Sequence, residues 1–408
     1  MLRFFILFSI LFSIQLTNAQ TTHTLDSTVL TARDITTGID IPWEIIWGPD
    51  NNIWMTERYG RVSRIDPITG NQTVLLDISS TVYQQAESGL LGMALHPDFS
   101  NQPYVYLAYT YLSGGSTILE RMVRYNYTGT TLNNPTTLID NIPGNTTHDG
   151  ARLLFLPDTT LIMTTGDAQN QSAPQNISSM NGKVLRFTDS GAIPADNPNP
   201  SSYIWSWGHR NAQGLWLAPN GHLYCSEHGP TTDDELHIVE KGRNYGWPTV
   251  TGYCDSPPEL AFCSDSNVVE PLAAWTPTIA PSDIIWYDHP SIPEFENRLL
   301  MTVLKDKKLI AFEFNAAGDA VTAEVDYLTN QFGRLRDICI SPDGKIYLAT
   351  NGTSWSNTNP FTHKIVELYN AAYVAPPTSI HQLNDEFSVA VYPNPIKAGQ
   401  VLNIKWEA

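Results

Sequence analysis

The chain reads as an all-β protein, a six-bladed β-propeller with four-stranded antiparallel blades, and three observations predict this. Hydrophobic residues make up 42% of it and charged residues only 16%, with 28 Pro, 26 Gly and 11 Trp, a balance that suits short strands joined by turns better than long helices. Its 408 residues exceed one average domain, yet all-β barrels and propellers of this length fold as one unit. Finally, one pattern recurs along the chain: an apolar run, a turn built from Pro with Asp, Asn or Gly, and a second apolar run that ends in small or polar residues.

The copies are WEIIWGPDNNIWMTE around Pro49, LLGMALHPDF with YVYLAYT around Pro97, ARLLFLPDTTLIMTTGD around Pro157, GLWLAPNGHLYCSEHG around Pro219, DIIWYDHPSIPEFENRLLMTVL around Asp288 and LRDICISPDGKIYLATNG around Pro342. Each reads as a β-hairpin. The spacing between copies leaves room for two more strands per unit, such as RVSRID or RMVRYNYT, which gives four-stranded blades over about 24–369. A pair of β-sandwiches is the alternative, but it leaves the six similar hairpins unexplained. In a propeller the loops gather at one end of a central channel, so polar residues just past each second run are placed to face a ligand.

The two ends read differently. MLRFFILFSILFSIQLTNAQ has a basic residue, an apolar run and a small residue at Ala19, the form of a signal peptide over 1–19; a retained anchor is the alternative, for which the run is short. The expectation is therefore a secreted or cell-surface protein without a membrane span after cleavage. From 370 to 386 the composition shifts to that of a linker. The last segment, 387–408, starts a new strand-rich pattern with YPNP. It resembles the opening of the C-terminal sorting domain of proteins exported by the type IX secretion system of Bacteroidetes, cut short.

Cys254 and Cys263 share a loop rich in Pro, Asp and Ser and are expected to form a local disulfide, while Cys225 and Cys339 sit in strand-like runs as buried thiols. The formal net charge of −18 argues against nucleic acid or an anionic membrane as partner. It also makes any cluster of the 23 Lys and Arg informative.

Chemistry concentrates in Trp205–Pro248. The Gly229–Pro230 turn can aim backbone carbonyls at a hard cation, and Asp233, Asp234 and Glu235 follow with carboxylates. Arg210 and Asn211 suit anionic or carbonyl oxygens. The alternative is that the acids line a solvated loop and pair with Arg210. In NTTHDGARL, His148 is a candidate general base that Asp167 would orient, or else a histidine at a strand entrance bonded to a carbonyl. Lys305, Arg334 and Arg336 either join Arg210 in a basic pocket for a polycarboxylate or form salt bridges between blades.

HDGARLLF, MNGKVLRFTDSGAIPADNP, WSWGHRNAQGL, SEHGPTTDDELHIVEKGRNYGWP, PTIAPSD and RLRDICISPDGKIY together resemble the pyrroloquinoline quinone (PQQ)-dependent soluble glucose and aldose sugar dehydrogenases, over nearly the whole chain to about residue 369. The resemblance implies that His148 is the base for the sugar C1 hydroxyl and Asp167 its orienting acid. It places Arg210 and Asn211 beside the quinone, with Lys305, Arg334 and Arg336, and less directly Thr278, holding it. Gly229 and Pro230 fall at the ligands of a calcium ion, and Glu235 at an acid that in some relatives helps hold a second calcium, with Asp233 and Asp234 as equal candidates. The glucose enzymes have Gln where this chain has Glu87, and some have Asp at Thr147, so a range of aldoses is expected rather than glucose alone. An external electron acceptor is implied, and a homodimer stays open. Two other readings are a calcium-dependent lactonase-type hydrolase and a non-catalytic propeller that binds glycans or protein.

Overall fold

Alternation along the strands sets the architecture, because most inner strands are apolar on both faces. In Tyr104–Ser113, Val105, Leu107 and Tyr109 join one buried cluster with Trp54 and Val62, whereas Tyr106 and Ala108 join another with Leu161 and Phe187. A strand with two apolar faces must sit in a sheet that is covered on both sides. The computed structural model, which describes residues 20–353 and 363–375 together with the backbone of 388–392 and 403–407, meets this demand with six sheets in a ring. One apolar cluster lies between each pair of neighbouring blades.

The inner strands are Pro42–Trp47, Leu90–Leu95, Gly150–Phe155, Ala212–Leu217, Pro281–Tyr287 and Leu335–Ile340, and the last packs against the first to close the ring. Each pairs antiparallel with the next strand in the chain, so the six expected hairpins are the two innermost strands of the six blades. Five blades have four strands. The closing blade has five, because Val29–Thr37 pairs with Lys364–Asn370, Leu30 opposite Asn370, and Thr21–Thr24 adds outside it. The propeller's first strand therefore begins at Thr21, slightly ahead of the expected 24, and hydrogen bonds between the two ends of the chain fasten the ring.

One regularity was not legible in the sequence. Every inner strand is irregular near its start, with register shifts at Pro42/Ile45, Leu90/Met93, Gly150/Leu153, Ala212/Gly214, Pro281/Ile284 and Leu335/Asp337. Bulges re-aim side chains. Here all six lie at the same end of the channel, the end that carries the polar residues.

The loop after the fourth blade's third strand holds the expected Cys254–Cys263 disulfide and also a short helix, Pro257–Ser266, which an all-β reading did not foresee. Cys225 and Cys339 are buried free thiols. Among the described residues no helix is long and apolar enough to cross a membrane. Residues 373–408 form a separate unit, in which Ser388–Tyr392 pairs antiparallel with Asn403–Glu407. The expected signal peptide, 1–19, and most of the expected linker lie outside the described residues.

Candidate active site

Antiparallel pairing brings the start of each inner strand beside the end of its neighbour, so chain segments far apart in sequence meet at one mouth of the channel. They surround a cavity of about 260 Å³. Glu87, Asn211, Lys305, Arg334 and Arg336 are in its wall, along with His228 and the segment Asp149–Gly150 next to His148.

His148 stands on a left-handed backbone, φ 63°, in the loop that enters the third blade. Its Nδ1 is 2.8 Å from Asp167 Oδ1, and Asp167, at the end of the second strand of the same hairpin, is buried. The Asp167 carboxylate is itself fixed, accepting the Gln169 amide at 2.8 Å on Oδ1 and the Trp247 indole N–H at 2.9 Å on Oδ2. Such a carboxylate selects the tautomer with the proton on Nδ1, which makes Nε2 the acceptor nitrogen of the ring. Nε2 accepts a hydrogen bond from Arg210 Nη2 at 3.2 Å, a contact that a substrate hydroxyl would have to replace. The pairing expected of His148 and Asp167 is formed, and His148 does not serve as a mere strand-entrance histidine bonded to a carbonyl.

Arg210 is positioned from three sides: its Nη1 donates to the His228 carbonyl at 3.0 Å, its guanidinium lies 5.4 Å from the centre of the Trp247 ring, and its backbone carbonyl accepts from the Asp167 amide. It forms no salt bridge with the three acids that follow Thr232. Asn211 is buried, and its Oδ1 accepts from the Gly150 amide at 3.2 Å and from Gln213 Nε2 at 3.1 Å. It thus ties the His148 loop to the fourth blade. Glu87 Oε2 accepts from the His148 amide at 3.3 Å, which sets this carboxyl beside the base.

Arg334 and Arg336 are both buried, and neither forms a salt bridge among the described residues. Arg336 Nη1 donates to Gln213 Oε1 at 2.9 Å, its Nε has no hydrogen-bond partner, and its guanidinium is 5.8 Å from the centre of the Trp43 ring. Burial, reinforced by the neighbouring Arg334 cation, pushes Arg336 down to about 9, so it is still charged at neutral pH. Burial pushes the Asp149 carboxyl in the same wall up to about 8, which makes it a neutral acid there. Lys305 extends the positive wall from the rim, where its Nζ donates to the Thr278 carbonyl at 2.6 Å and to Thr278 Oγ1 at 2.9 Å. Thr278 therefore acts through Lys305 and is not itself in the cavity wall. Glu87 in the same wall offsets this charge only in part, and a cavity with two buried cations outside any salt bridge and an unfilled guanidinium N–H fits a ligand bearing several carboxylates.

The Gly229–Pro230 turn borders a second, much smaller cavity of about 10 Å³, which Arg210, His228 and Glu235 also line. A side chain on Gly229 would put a Cβ 2.0 Å from the Thr232 carbonyl oxygen and 2.5 Å from that of Asp233, so only glycine fits. Asp234, an equal candidate for metal ligand, has a structural role in the turn. Its Oδ1 accepts from the Gly229 amide at 2.8 Å and its Oδ2 from Ile279 and Ala280 at 2.6 and 2.7 Å, so it staples the turn to the fifth blade. Asp233 is engaged by Thr276 Oγ1 at 2.8 Å. Glu235 keeps one oxygen on the Gly252 amide, at 2.8 Å, and borders the small cavity. Backbone carbonyls of such a turn beside an ion-sized space are a donor set that would suit calcium. Were calcium held by this turn, Gly229→Ala would lower calcium affinity at least about tenfold, the effect of losing one good contact of about 1.4 kcal/mol; calcium titration by calorimetry checks it.

Sequence reasoning passed over Trp247, Trp43 and Arg152. Trp247 fixes Asp167 and underlies Arg210, and an indole between Gly246 and Pro248 in a predicted loop was the available signal. Trp43 lies between two guanidinium groups, Arg336 and Arg152, the latter 4.5 Å from its ring centre. Arg152 in turn holds Glu44 at 2.6 Å, Asp337 at 3.3 Å and Asp283 at 3.6 Å, a buried charge cluster on the channel axis. Nothing in HDGARLLF indicated that its arginine would meet acids from three other blades.

The chain is similar to known proteins over most of its length. A family model for glucose/sorbosone dehydrogenase matches residues 39–356. Quinoprotein glucose dehydrogenase B of Acinetobacter calcoaceticus is 30% identical over 406 residues, covering 78% of this chain and 85% of that protein. Aldose sugar dehydrogenase YliI of Escherichia coli K12 is 31% identical over 332 residues, covering 78% and 88%. Among solved structures, the PQQ-bound aldose sugar dehydrogenase of Streptomyces coelicolor superposes with a TM-score of 0.72 at 30% identity, over 83% of this chain and 98% of that one. The apo soluble aldose sugar dehydrogenase of E. coli does so with a TM-score of 0.73 at 26% identity, over 84% and 99%. With the propeller, the His148–Asp167 pair and the basic cavity already in place, this match over most of the chain leads to one conclusion: the protein belongs to the glucose/sorbosone dehydrogenase family.

Proposed function

We propose that the protein is a secreted quinoprotein that oxidises the anomeric carbon of aldoses to lactones with PQQ and calcium and passes the electrons to an external acceptor. The observation that carries this reading is the pair of buried cations without a salt bridge, Arg334 and Arg336, beside an assembled His148–Asp167 base. Arg334, Arg336 and Lys305 are the residues that would hold the carboxylates of PQQ, and the carbonyls of Gly229 and Pro230 those that would hold calcium. When bound, PQQ supplies the acceptor for the C1 hydride, and calcium supplies a Lewis acid.

The chain's own part is proton transfer and positioning. His148 Nε2 takes the proton of the C1 hydroxyl, so that the C1–O bond gains carbonyl character as the hydride leaves. Asp167 keeps the imidazole in the correct tautomer and stabilises the imidazolium that forms. Arg210, whose Nη2 donates to Nε2 at 3.2 Å, would turn that donor to the oxygen losing its proton once a sugar hydroxyl takes its place on Nε2. Glu87, hydrogen-bonded to the His148 amide, is placed to accept from a sugar hydroxyl, which supports specificity for aldoses in general over glucose alone.

Secretion rests on the N-terminal apolar segment and agrees with the Cys254–Cys263 disulfide, since such bonds persist in oxidising compartments. The YPNP-containing C-terminus supports export by the type IX route. A lactonase would need side-chain carboxylates on the metal, and Asp234 is already engaged by three backbone amides.

The test is dye reduction by purified protein with calcium and PQQ across a panel of aldoses. Reduction that requires the sugar, PQQ and calcium together is expected. Failure with every aldose, combined with an unperturbed PQQ spectrum, would sink the proposal.

A further inference from the structure

Beneath Arg210 and the Gly229–Pro230 turn lies a group of side chains that the dehydrogenase reading does not use. His209, Glu227 and His237 are buried, and each presents one ligand-type atom within 4.8 Å of the others. His209 Nδ1 is 2.9 Å and His237 Nε2 3.6 Å from Glu227 Oε2. His237 is fully buried, yet neither ring nitrogen has a hydrogen-bond partner. An imidazole held in a dry interior only by long contacts to two carboxylates, Glu227 and Glu235, is costly, and this one lies beside a second imidazole.

The outer nitrogens are arranged as metal-bound histidines require. His209 Nε2 is 2.9 Å from Ser206 Oγ, and His237 Nδ1 is 3.5 Å from Glu235 Oε2. With metal bound, each histidine would direct its remaining N–H at one of these oxygens, the ion displacing the proton that His209 Nδ1 donates to Glu227 in its absence. Tyr245 covers both rings, its centroid 4.5 Å from that of His209 and 4.7 Å from that of His237. The small cavity lined by Glu227, Glu235 and Tyr245 reaches the cluster from the side of the turn.

We propose that His209, Glu227 and His237 form a site for a divalent transition metal of the zinc class, separate from the calcium turn. Two imidazoles and a carboxylate are the donor set of zinc, cobalt or nickel, whereas calcium prefers oxygen alone. The ion is structural. The other oxygen of Glu227 accepts from the backbone amides of Arg210 and Asn211, so metal on Oε2 would lock the segment that carries both residues. This inference does not depend on PQQ binding.

The test uses tag-free mature protein, stripped with a chelator and titrated with Co²⁺ without PQQ. One Co²⁺ per chain, with the intense visible bands of low-coordinate cobalt, is expected. The bands should survive excess Ca²⁺, disappear on adding Zn²⁺, and be lost in His237→Asn, with affinity down at least a hundredfold. Absence of the bands, their displacement by Ca²⁺, or their retention in His237→Asn would overturn the proposal. Should that variant not fold, X-ray absorption on the zinc-loaded wild type decides: two imidazole nitrogens at about 2.0–2.1 Å support the site, and a shell of oxygens alone refutes it.

Discussion

Replacing His148 with alanine is expected to lower turnover by about 10²- to 10⁴-fold, the usual contribution of a positioned general base, while PQQ affinity stays nearly unchanged. The asymmetry follows from geometry. His148 is fixed through Nδ1 to Asp167 and carries Nε2 against Arg210, whereas the cations that would meet the carboxylates of the cofactor are on the fifth and sixth blades. Asp167→Asn should produce much of the same loss with the imidazole still present, because an amide that donates to Nδ1 favours the wrong tautomer. Steady-state kinetics with saturating PQQ, read beside a PQQ titration, separates the two effects. A merely structural His148 would lower cofactor affinity and turnover together.

Arg336→Met is expected to have opposite effects on the two states of the protein. Without cofactor, Arg336 is a buried cation with no salt bridge among the described residues, and Arg334 lies close enough to repel it. Replacing such a charge by an apolar side chain of similar length is commonly neutral or stabilising, so the apoprotein should melt at the same or a higher temperature. PQQ binding should weaken by about ten- to a hundredfold, since hydrogen bonds to charged groups contribute about 1.5–3 kcal/mol each. The rise in melting temperature on adding PQQ should therefore shrink by the corresponding linkage term. Arg334→Ala should weaken PQQ binding in the same way, whereas His148→Ala should keep the full rise. Thermal melts of the variants with and without PQQ check all of this.

The hairpins were legible in the sequence because each is local: Pro157 and Asp158 turn ARLLF back onto TLIMTT within a few residues, and the two-faced apolar runs state their own burial. The closing blade was not, since nothing near Leu30 announces a partner at Asn370. The same contrast holds in the site. His148 and Asp167 sit at two ends of one hairpin, so alternation and the turn sufficed to bring them together. Trp247 reaches Asp167 from another blade, and Arg152 collects Glu44, Asp283 and Asp337 across the channel, contacts that only ring closure creates. Asp234 shows the opposite limit. Composition marks it as an obvious metal ligand, but only the fold reveals three backbone amides on its two oxygens.

His237 carries the same lesson further. In sequence it is one more residue of a strand, DELHI, opposite Cys225 in the ladder. Its interest comes from burial without a hydrogen bond, a property that no pattern of residue types displays.

The central claim is that this basic cavity holds PQQ next to a competent base. It is tested most directly by adding one equivalent of PQQ to the calcium-loaded protein without oxygen or dye, and then adding an aldose while the bound quinone's absorption is followed. The account predicts stoichiometric binding, conversion of the quinone spectrum to the reduced form, and one equivalent of lactone in wild type, with binding but no conversion in His148→Ala. Protein that leaves the PQQ spectrum unchanged, or that binds PQQ and reduces it with no aldose at all, would contradict it.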